Sequence, residues 1–375
     1  MVSTANLKPS SGILSAILFG FHRLELPGDL APACSGSPLV PSSAPRRRSG
    51  LRVSRAALRP FHLAGTTLLN LITVDDTTSA DRALRLIRQG STLRWEGDFH
   101  NARQLLAALG RRTRHVQHLN ALLITTNDYA IRLRRAPDVA AACREAYGPP
   151  NGERLIPLRE LLGVIGAHQH RKRGIYLAAL NARIHPHYGV FAPTRSEYVD
   201  LVAAEPLPPT EVAFDLGTGT GVLAAVLLRR GITKVVATDN NPRAVACARE
   251  NLRGRAEVIE ADLFPPGRAD LVVCNPPWVP GRVNTMLDTA VYDEDSRMLR
   301  GFLRGVGDHL TPDGEAWLVM GIRPQEEMLA EFRAAGLRVL GRTGAVPTHR
   351  RARSDETTYL WRLRPSDANP FVEKA

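Results

Sequence analysis

Two kinds of apolar pattern divide the chain. Between about residues 78 and 182 apolar positions recur at helical spacing, with start and stop signals around them. Ser79 and Asp81 stand where they can cap "ADRALRLIRQG", which ends on Gly90, and "NARQLLAALG" runs to Gly110. "PDVAAACREAYG" stops at Gly148-Pro149-Pro150, and "LRELLGVIGAHQHRKRGIYLAALNARI" is the longest periodic stretch. Short apolar strands are nearly absent from this reading, which predicts a mainly helical domain over residues 61–186. After Pro186 the character changes: "EVAFDLG", "KVVATD", "EVIEADL", "DLVVCN" and "EAWLVMG" are short apolar runs separated by helical segments. That alternation predicts an α/β domain over residues 187–365, a parallel sheet with helices on both faces. "LRVLGRTG" and "TTYLWRLRP" read as a closing pair of strands, and residues 366–375 as a tail.

The first of these runs continues as "VAFDLGTGTGVLAAVLL", a strand, a glycine turn and a helix, the usual seat of an adenosine cofactor. Gly217, Gly219 and Gly221 are spaced GxGxG, whereas a dinucleotide fingerprint would need its third glycine where Val222 stands; no GK[ST] follows, so a P-loop is excluded. Asp215 precedes the first glycine, and a carboxylate there repels a pyrophosphate but attracts an ammonium. Asp239 ends the next strand, placed to accept both hydroxyls of a ribose, with Asn240 beside it. One strand later Asp262 suits an exocyclic adenine amine, and Leu263 supplies an apolar wall. Each acid alone is a helix cap or turn residue. The ordered set outlines a ligand with an amine, a ribose and an adenine and no phosphate, which is S-adenosylmethionine.

"DLVVCNPPWVPG" ends its apolar run in an Asn, two prolines and a Trp. Pro276 and Pro277 lack backbone N–H groups and fix their own φ, so the strand must stop at Asn275 and stop rigidly. An amide or aryl amine is a poor nucleophile because its lone pair is delocalised. Asn275 Oδ1 and the Pro276 carbonyl can each accept one N–H of such an NH2, Pro277 fixes the turn, and Trp278 offers a flat wall. A Pro-rich turn after a buried strand accounts for the prolines but not for the Asn and Trp that bracket them.

At these residues the chain resembles the class I S-adenosylmethionine-dependent methyltransferases, over about residues 188–363. "FDLGTGTG", "ATDNNPRAVACARENL", "EADLF" and "NPPW" occur in that family's order. The resemblance implies a Rossmann-like sheet of seven strands with the last antiparallel, and cofactor contacts from Asp215, Gly217, Gly219, Asp239 and Asp262. Within the family, [N/D]PP[Y/F/W] marks enzymes that methylate planar nitrogens: glutamine side-chain amides, adenine N6 and guanine N2. A helical domain before the catalytic one, and "FAPTRSEYVDLV", are similar to the protein glutamine N5-methyltransferases that act on release factors and a ribosomal protein. Arg195 and Glu197 fall at the matching positions of that segment and become candidate substrate-binding residues beside Asn275 and Trp278. The chain departs from those enzymes at Trp278, where Tyr is usual, and at Tyr198-Val199, where a second acid is expected. The implied reaction is methyl transfer to a glutamine amide of a translation protein. The alternative is an RNA methyltransferase acting on adenine N6 or guanine N2, with "HQHRKRG" (168–174) and "THRRARS" (348–354) touching phosphates or the ribosome.

Composition changes this picture little. The 375 residues carry a formal net charge of +12, which favours an acidic or phosphate-bearing partner, a basic tail being the plainer account. Residues 1–60 hold eight basic and two acidic side chains, half of that excess, and are rich in Ser, Pro and Ala. They read as a disordered basic arm, and an Arg-rich import leader is the other reading. The apolar run from Gly12 to Phe21 is too short to span a bilayer. Four widely spaced cysteines form no CxxC pair, and no metal is expected. The place of synthesis of S-adenosylmethionine argues for a cytoplasmic protein.

Overall fold

β-branched clusters too short to be periodic set the architecture before Pro186. In the computed structural model the described residues are 62–63, 66–67, 70–280, 292–321, 323–345 and 357–366. Strands β1 (Leu71–Val74), β2 (Thr92–Trp95), β3 (Leu122–Asn127) and β4 (Glu153–Pro157) form one sheet in that order. The first three run parallel, and β4 runs antiparallel to β3. Helices α1 (Ala80–Arg88), α2 (Phe99–Arg112), α3 (Val116–Asn120), α4 (Ala140–Tyr147) and α5 (Leu158–Arg173) join and cover these strands. Their core gathers Leu93, Trp95, Leu122, Ile124, Leu158 and Leu161, all buried.

The expectation of a mainly helical domain over 61–186 is thereby corrected: this part of the chain is α/β. Parallel strands buried on both faces lose the in-out alternation that marks a strand, so "LITV" and "LLITT" look like fragments of helical pattern. The long periodic stretch is corrected too. α5 ends at Gly174, whose φ of +66° and close approach to His185 and Arg183 leave no room for a side chain. Beyond Gly174 the chain doubles back as a hairpin of β5 (Ile175–Leu177) and β6 (Ala182–Ile184), turned at Asn181 in the left-handed region.

Helix α6 (Glu197–Ala204) leads into a second sheet of seven strands. Its members are β7 (Val212–Leu216), β8 (Lys234–Asp239), β9 (Glu257–Glu260), β10 (Ala269–Cys274), β11 (Leu310–Met320), β12 (Leu337–Ala345) and β13 (Thr358–Pro365), in the order β9-β8-β7-β10-β11-β13-β12. β13 runs antiparallel to both neighbours and the other pairings are parallel. Helices α7 (Val222–Arg229), α8 (Pro242–Leu252), α9 (Arg297–Gly305) and α10 (Gln325–Ala334) cover the sheet. Alternate residues of β7 and β10 enter opposite cores: Ala213, Leu271 and Val273 on one face, Phe214, Leu216, Val272 and Cys274 on the other.

This topology positions the site. The chain winds outward from β7 through β8 to β9, then crosses back to β10 on the other side of β7. An open α/β sheet leaves a crevice at the carboxyl edge of such a switch point. Leu216 pairs with Thr238 on one side and Cys274 on the other, so the next residues along each strand, Gly217, Asp239 and Asn275, emerge level at one edge.

Candidate active site

The glycine loop after β7 is built by carboxylates. Asp215 is 1% exposed, and its Oδ2 accepts hydrogen bonds from the Thr218 hydroxyl (2.6 Å) and the Ala224 N–H (2.9 Å). Burial pushes its carboxyl up to about 6, and those two hydrogen bonds pull part of the way back. The acid therefore closes the loop onto the first turn of α7. Gly217, Gly219 and Gly221 have φ values of +65°, +55° and +80°, the left-handed backbone that lets the chain turn within five residues. A side chain at Gly219 would meet open space, so the crevice lies over that residue, whereas Gly221 presses on Leu252 and Ala248 of α8.

Asp239 is half-buried and ties the second strand end to the first. Its Oδ2 accepts the Gly219 N–H and its Oδ1 the Asn241 N–H, each at 2.9 Å, while burial raises its carboxyl. The Thr218 N–H donates to Thr238 O at 2.8 Å. Leu263, in the left-handed region at φ +75°, has its carbonyl held by the Thr238 hydroxyl. A half-buried carboxylate with unused lone pairs beside open space over a bare backbone fits a ribose diol lying on Gly219.

Asp262 is placed differently. It is largely exposed, and its Oδ2 takes a 2.6 Å ion pair from Arg297 at the start of α9. The next residue, Met298, lays its terminal methyl where a Gly217 side chain would begin. Asp293, buried, caps this helix by accepting the N–H groups of Met298 (2.9 Å) and Leu299 (3.1 Å). Met298 thus roofs the glycine loop at Gly217, and Arg297 pairs with the acid beyond β9. Sequence reasoning missed both, because they come from a distant helix, and the available signal was only the acidic cap that precedes it.

At the end of β10, Pro276 is buried and Asn275, Pro277 and Trp278 are half-buried. Asn275 Oδ1 accepts the Trp278 indole N–H at 3.0 Å. The Trp ring packs against both hydrophobic cores and lies over Gly321, the residue after β11, so closely that a side chain there would strike it. Arg195 precedes α6 and Glu197 opens it, both half-buried.

The second basic cluster, 348–354, lies outside the described residues, as do residues 1–60 and the tail beyond 366. In the first cluster, Arg171 reaches Glu145 at 3.2 Å and Glu250 of α8 at 2.8 Å. His187 meets Glu250 at 2.7 Å, and His168 meets Glu145 at 2.8 Å. This end of α5 therefore joins the two sheets' surroundings to each other. Asn251 completes the join: its Nδ2 donates to Thr220 O (3.0 Å) in the glycine loop and to His185 O (3.2 Å), and its Oδ1 accepts the His185 N–H (2.9 Å). Among the described residues no cluster of three or more His, Cys, Asp and Glu side chains is placed to hold a metal ion, and no helix is long and apolar enough to cross a membrane.

Residues 181–335 match the family model described as "Methyltransferase small domain". The chain is 33% identical over 149 residues to the release factor glutamine methyltransferase of Mycolicibacterium smegmatis, an alignment covering 37% of this chain and 49% of the relative. It is 32% identical over 162 residues to the protein of that name from Cereibacter sphaeroides, covering 38% and 58%. The ribosomal protein L11 methyltransferase of Pelobacter propionicus is 38% identical over 82 residues, 20% of this chain and 26% of its own length. The chain thus spans about half the length of the release factor enzymes it matches.

Proposed function

We propose that the protein is an S-adenosylmethionine-dependent methyltransferase that methylates a planar nitrogen, the side-chain amide of a glutamine in a translation protein; the match of residues 181–335 to the methyltransferase small domain supports the reaction. The observation that carries this reading is the level emergence of Gly217, Asp239 and Asn275 at the switch point of the sheet. It supports a reading in which Asn275 binds the acceptor amide beside an adenosine cofactor held over Gly217 and Asp239. Relatives named for release factor glutamine methylation support the choice of acceptor.

In this reading Asp239 receives the ribose hydroxyls, the open backbone over Gly219 receives the sugar, and Asp262 with Leu263 faces the adenine. Asn240 borders the ribose, and Gly217 and Gly221 shape the loop. Asp215 holds that loop and sets the charge beside the amino-acid end of the cofactor. S-adenosylmethionine, when bound, supplies an electrophilic methyl on a sulfonium. Asn275 Oδ1 and the Pro276 carbonyl accept the two N–H groups of the acceptor, turning its lone pair toward that methyl. The acceptor nitrogen would take the methyl that the sulfonium supplies, the thioether being the leaving group, and would give up one amide proton to solvent. Pro277 keeps the two acceptors in register, and Trp278 bounds the site. Arg195 and Glu197, at the start of α6, contribute to the substrate side. Most of the acceleration is positioning and exclusion of water.

The test is incubation of the full chain with methyl-labelled S-adenosylmethionine and, separately, a purified bacterial release factor and ribosomal RNA. Label that survives nuclease, is lost to protease and is recovered as N5-methylglutamine is expected. Label confined to RNA would replace this reading with methylation of adenine N6 or guanine N2.

A further inference from the structure

We propose that Trp278 is a positioning residue whose indole N–H fixes which end of the Asn275 amide faces the methyl acceptor, an assignment that rests on Asn275 as the amide-binding group. A primary amide turned half a revolution about its last torsion has nearly the same shape but the opposite chemistry. One orientation offers an oxygen that accepts, the other an NH2 that donates. Only the first can receive the N–H of a substrate amide. The Trp278 ring nitrogen is a donor and nothing else, and it lies 3.0 Å from Asn275 Oδ1. Turning the amide over would set two donors against each other in a half-buried site and forfeit the bond. The carbonyl oxygen has two lone pairs, so one remains for the substrate.

Three further features hold the donor in place. Pro276 and Pro277 stiffen the two-residue span between Asn275 and Trp278. The ring is wedged between the two hydrophobic cores. Gly321 removes the side chain that would strike it, since a Cβ there would stand 2.9 Å from the ring carbons Cε3 and Cζ3. Trp is also the aromatic residue suited to this task. Phe has no polar atom, and the Tyr hydroxyl sits at the far tip of its ring, beyond the place where the indole nitrogen stands.

The bond is tested without any activity by the indole N–H resonances of the four tryptophans in the 15N-labelled full chain. Trp278→Phe assigns one of them. Asn275→Ala is expected to move that resonance upfield, and Asn275→Asp, which keeps an acceptor, to leave it downfield. A resonance that does not move in Asn275→Ala overturns the proposal. The positioning role is tested by methyl transfer to a release factor. Trp278→Phe and Trp278→Tyr are expected to lower kcat on the order of tenfold, the worth of one oriented hydrogen bond. KM and cofactor affinity should stay within about twofold. Unchanged kcat in both variants, or a rise in KM alone, would make Trp278 a wall only and overturn the positioning role. If the wild-type chain transfers nothing to the release factor, the choice of substrate fails, and the indole resonance decides the Asn275 contact by itself.

Discussion

At Asp215 burial and hydrogen bonding pull in opposite directions, and burial wins, holding the carboxyl near 6. An acid whose folded-state value lies above its unfolded value stabilises the fold most below the unfolded value, about 3.8, and that contribution is lost as pH rises through about 6. A difference of about two pH units corresponds to about 3 kcal/mol. Asp215→Asn has no charge to lose. Its stability relative to the wild type, measured by urea denaturation, is therefore expected to be better at pH 7 than at pH 4.5 by about 2 kcal/mol, the first part of the change lying below pH 4.5. An equal difference at both pH values would show that the carboxyl does not titrate there. On the proposed function the same variant binds S-adenosylmethionine more weakly at pH 7 by calorimetry, because the carboxylate that closes the glycine loop onto Thr218 and Ala224 is gone. Residues of this kind were legible in the sequence because the end of an apolar run fixes where they emerge. Their partners were not: the Met298 methyl over Gly217, the Arg297 ion pair on Asp262 and the Asn275 bond from Trp278 depend on side-chain directions that spacing does not encode.

Among the elements, strands were read well where caps and glycines punctuated them and poorly where they were short and buried. The runs around the glycine loop and "NPPW" became β7, β8 and β10, whereas β1 to β4 were absorbed into a helical pattern. The physical difference is context. After Pro186 the runs that became β7, β8 and β10 end in glycine, Asp or Asn-Pro-Pro, which mark a strand end in the sequence, while "LLITTN" ends in a turn that carries no such signal. The closing strands hold a prediction of their own. Glu315 of β11 and Glu205 at the end of α6 are 4% and 7% exposed. Arg362 of β13 serves both: it bonds the two Glu315 oxygens at 2.9 Å and reaches Glu205 at 3.4 Å. Arg362→Met should cost about 1–3 kcal/mol, since it removes the bidentate cation from two nearly buried carboxylates while keeping the aliphatic bulk, and leaves Glu315 with the Trp317 N–H and Arg364, and Glu205 with the Thr343 hydroxyl. Chemical denaturation at pH 7 measures this. Part of the loss should return at pH 4, where acids that have lost their main cation can take up protons, and a loss within 0.5 kcal/mol, about the range of an ordinary surface substitution, would mean that the remaining partners suffice.

At the scale of the whole molecule, the half of the +12 charge that falls in residues 1–60 lies outside the described residues, and what the structure shows is the join between the two sheets. Arg243 of α8 donates to Ala146 O at 3.0 Å, Arg171 bridges Glu145 and Glu250, and Asn251 fastens His185 to Thr220. Asn251→Ala removes the bonds to Thr220 and His185, with a weaker one to Cys247 Sγ at 3.5 Å, from a half-buried position, and a stability loss of about 1–3 kcal/mol is expected. Cofactor binding should weaken in the same variant, because Thr220 belongs to the glycine loop. Calorimetry that finds unaltered affinity would show that the loop keeps its shape without Asn251. The consequence of this one amide is thermodynamic. A side chain that grips both the glycine loop and the segment leading from the first sheet makes the two answer to a common free energy. Whatever factor cofactor binding adds to the affinity of a macromolecule docked on the first sheet's side, that macromolecule must return to the cofactor in equal measure.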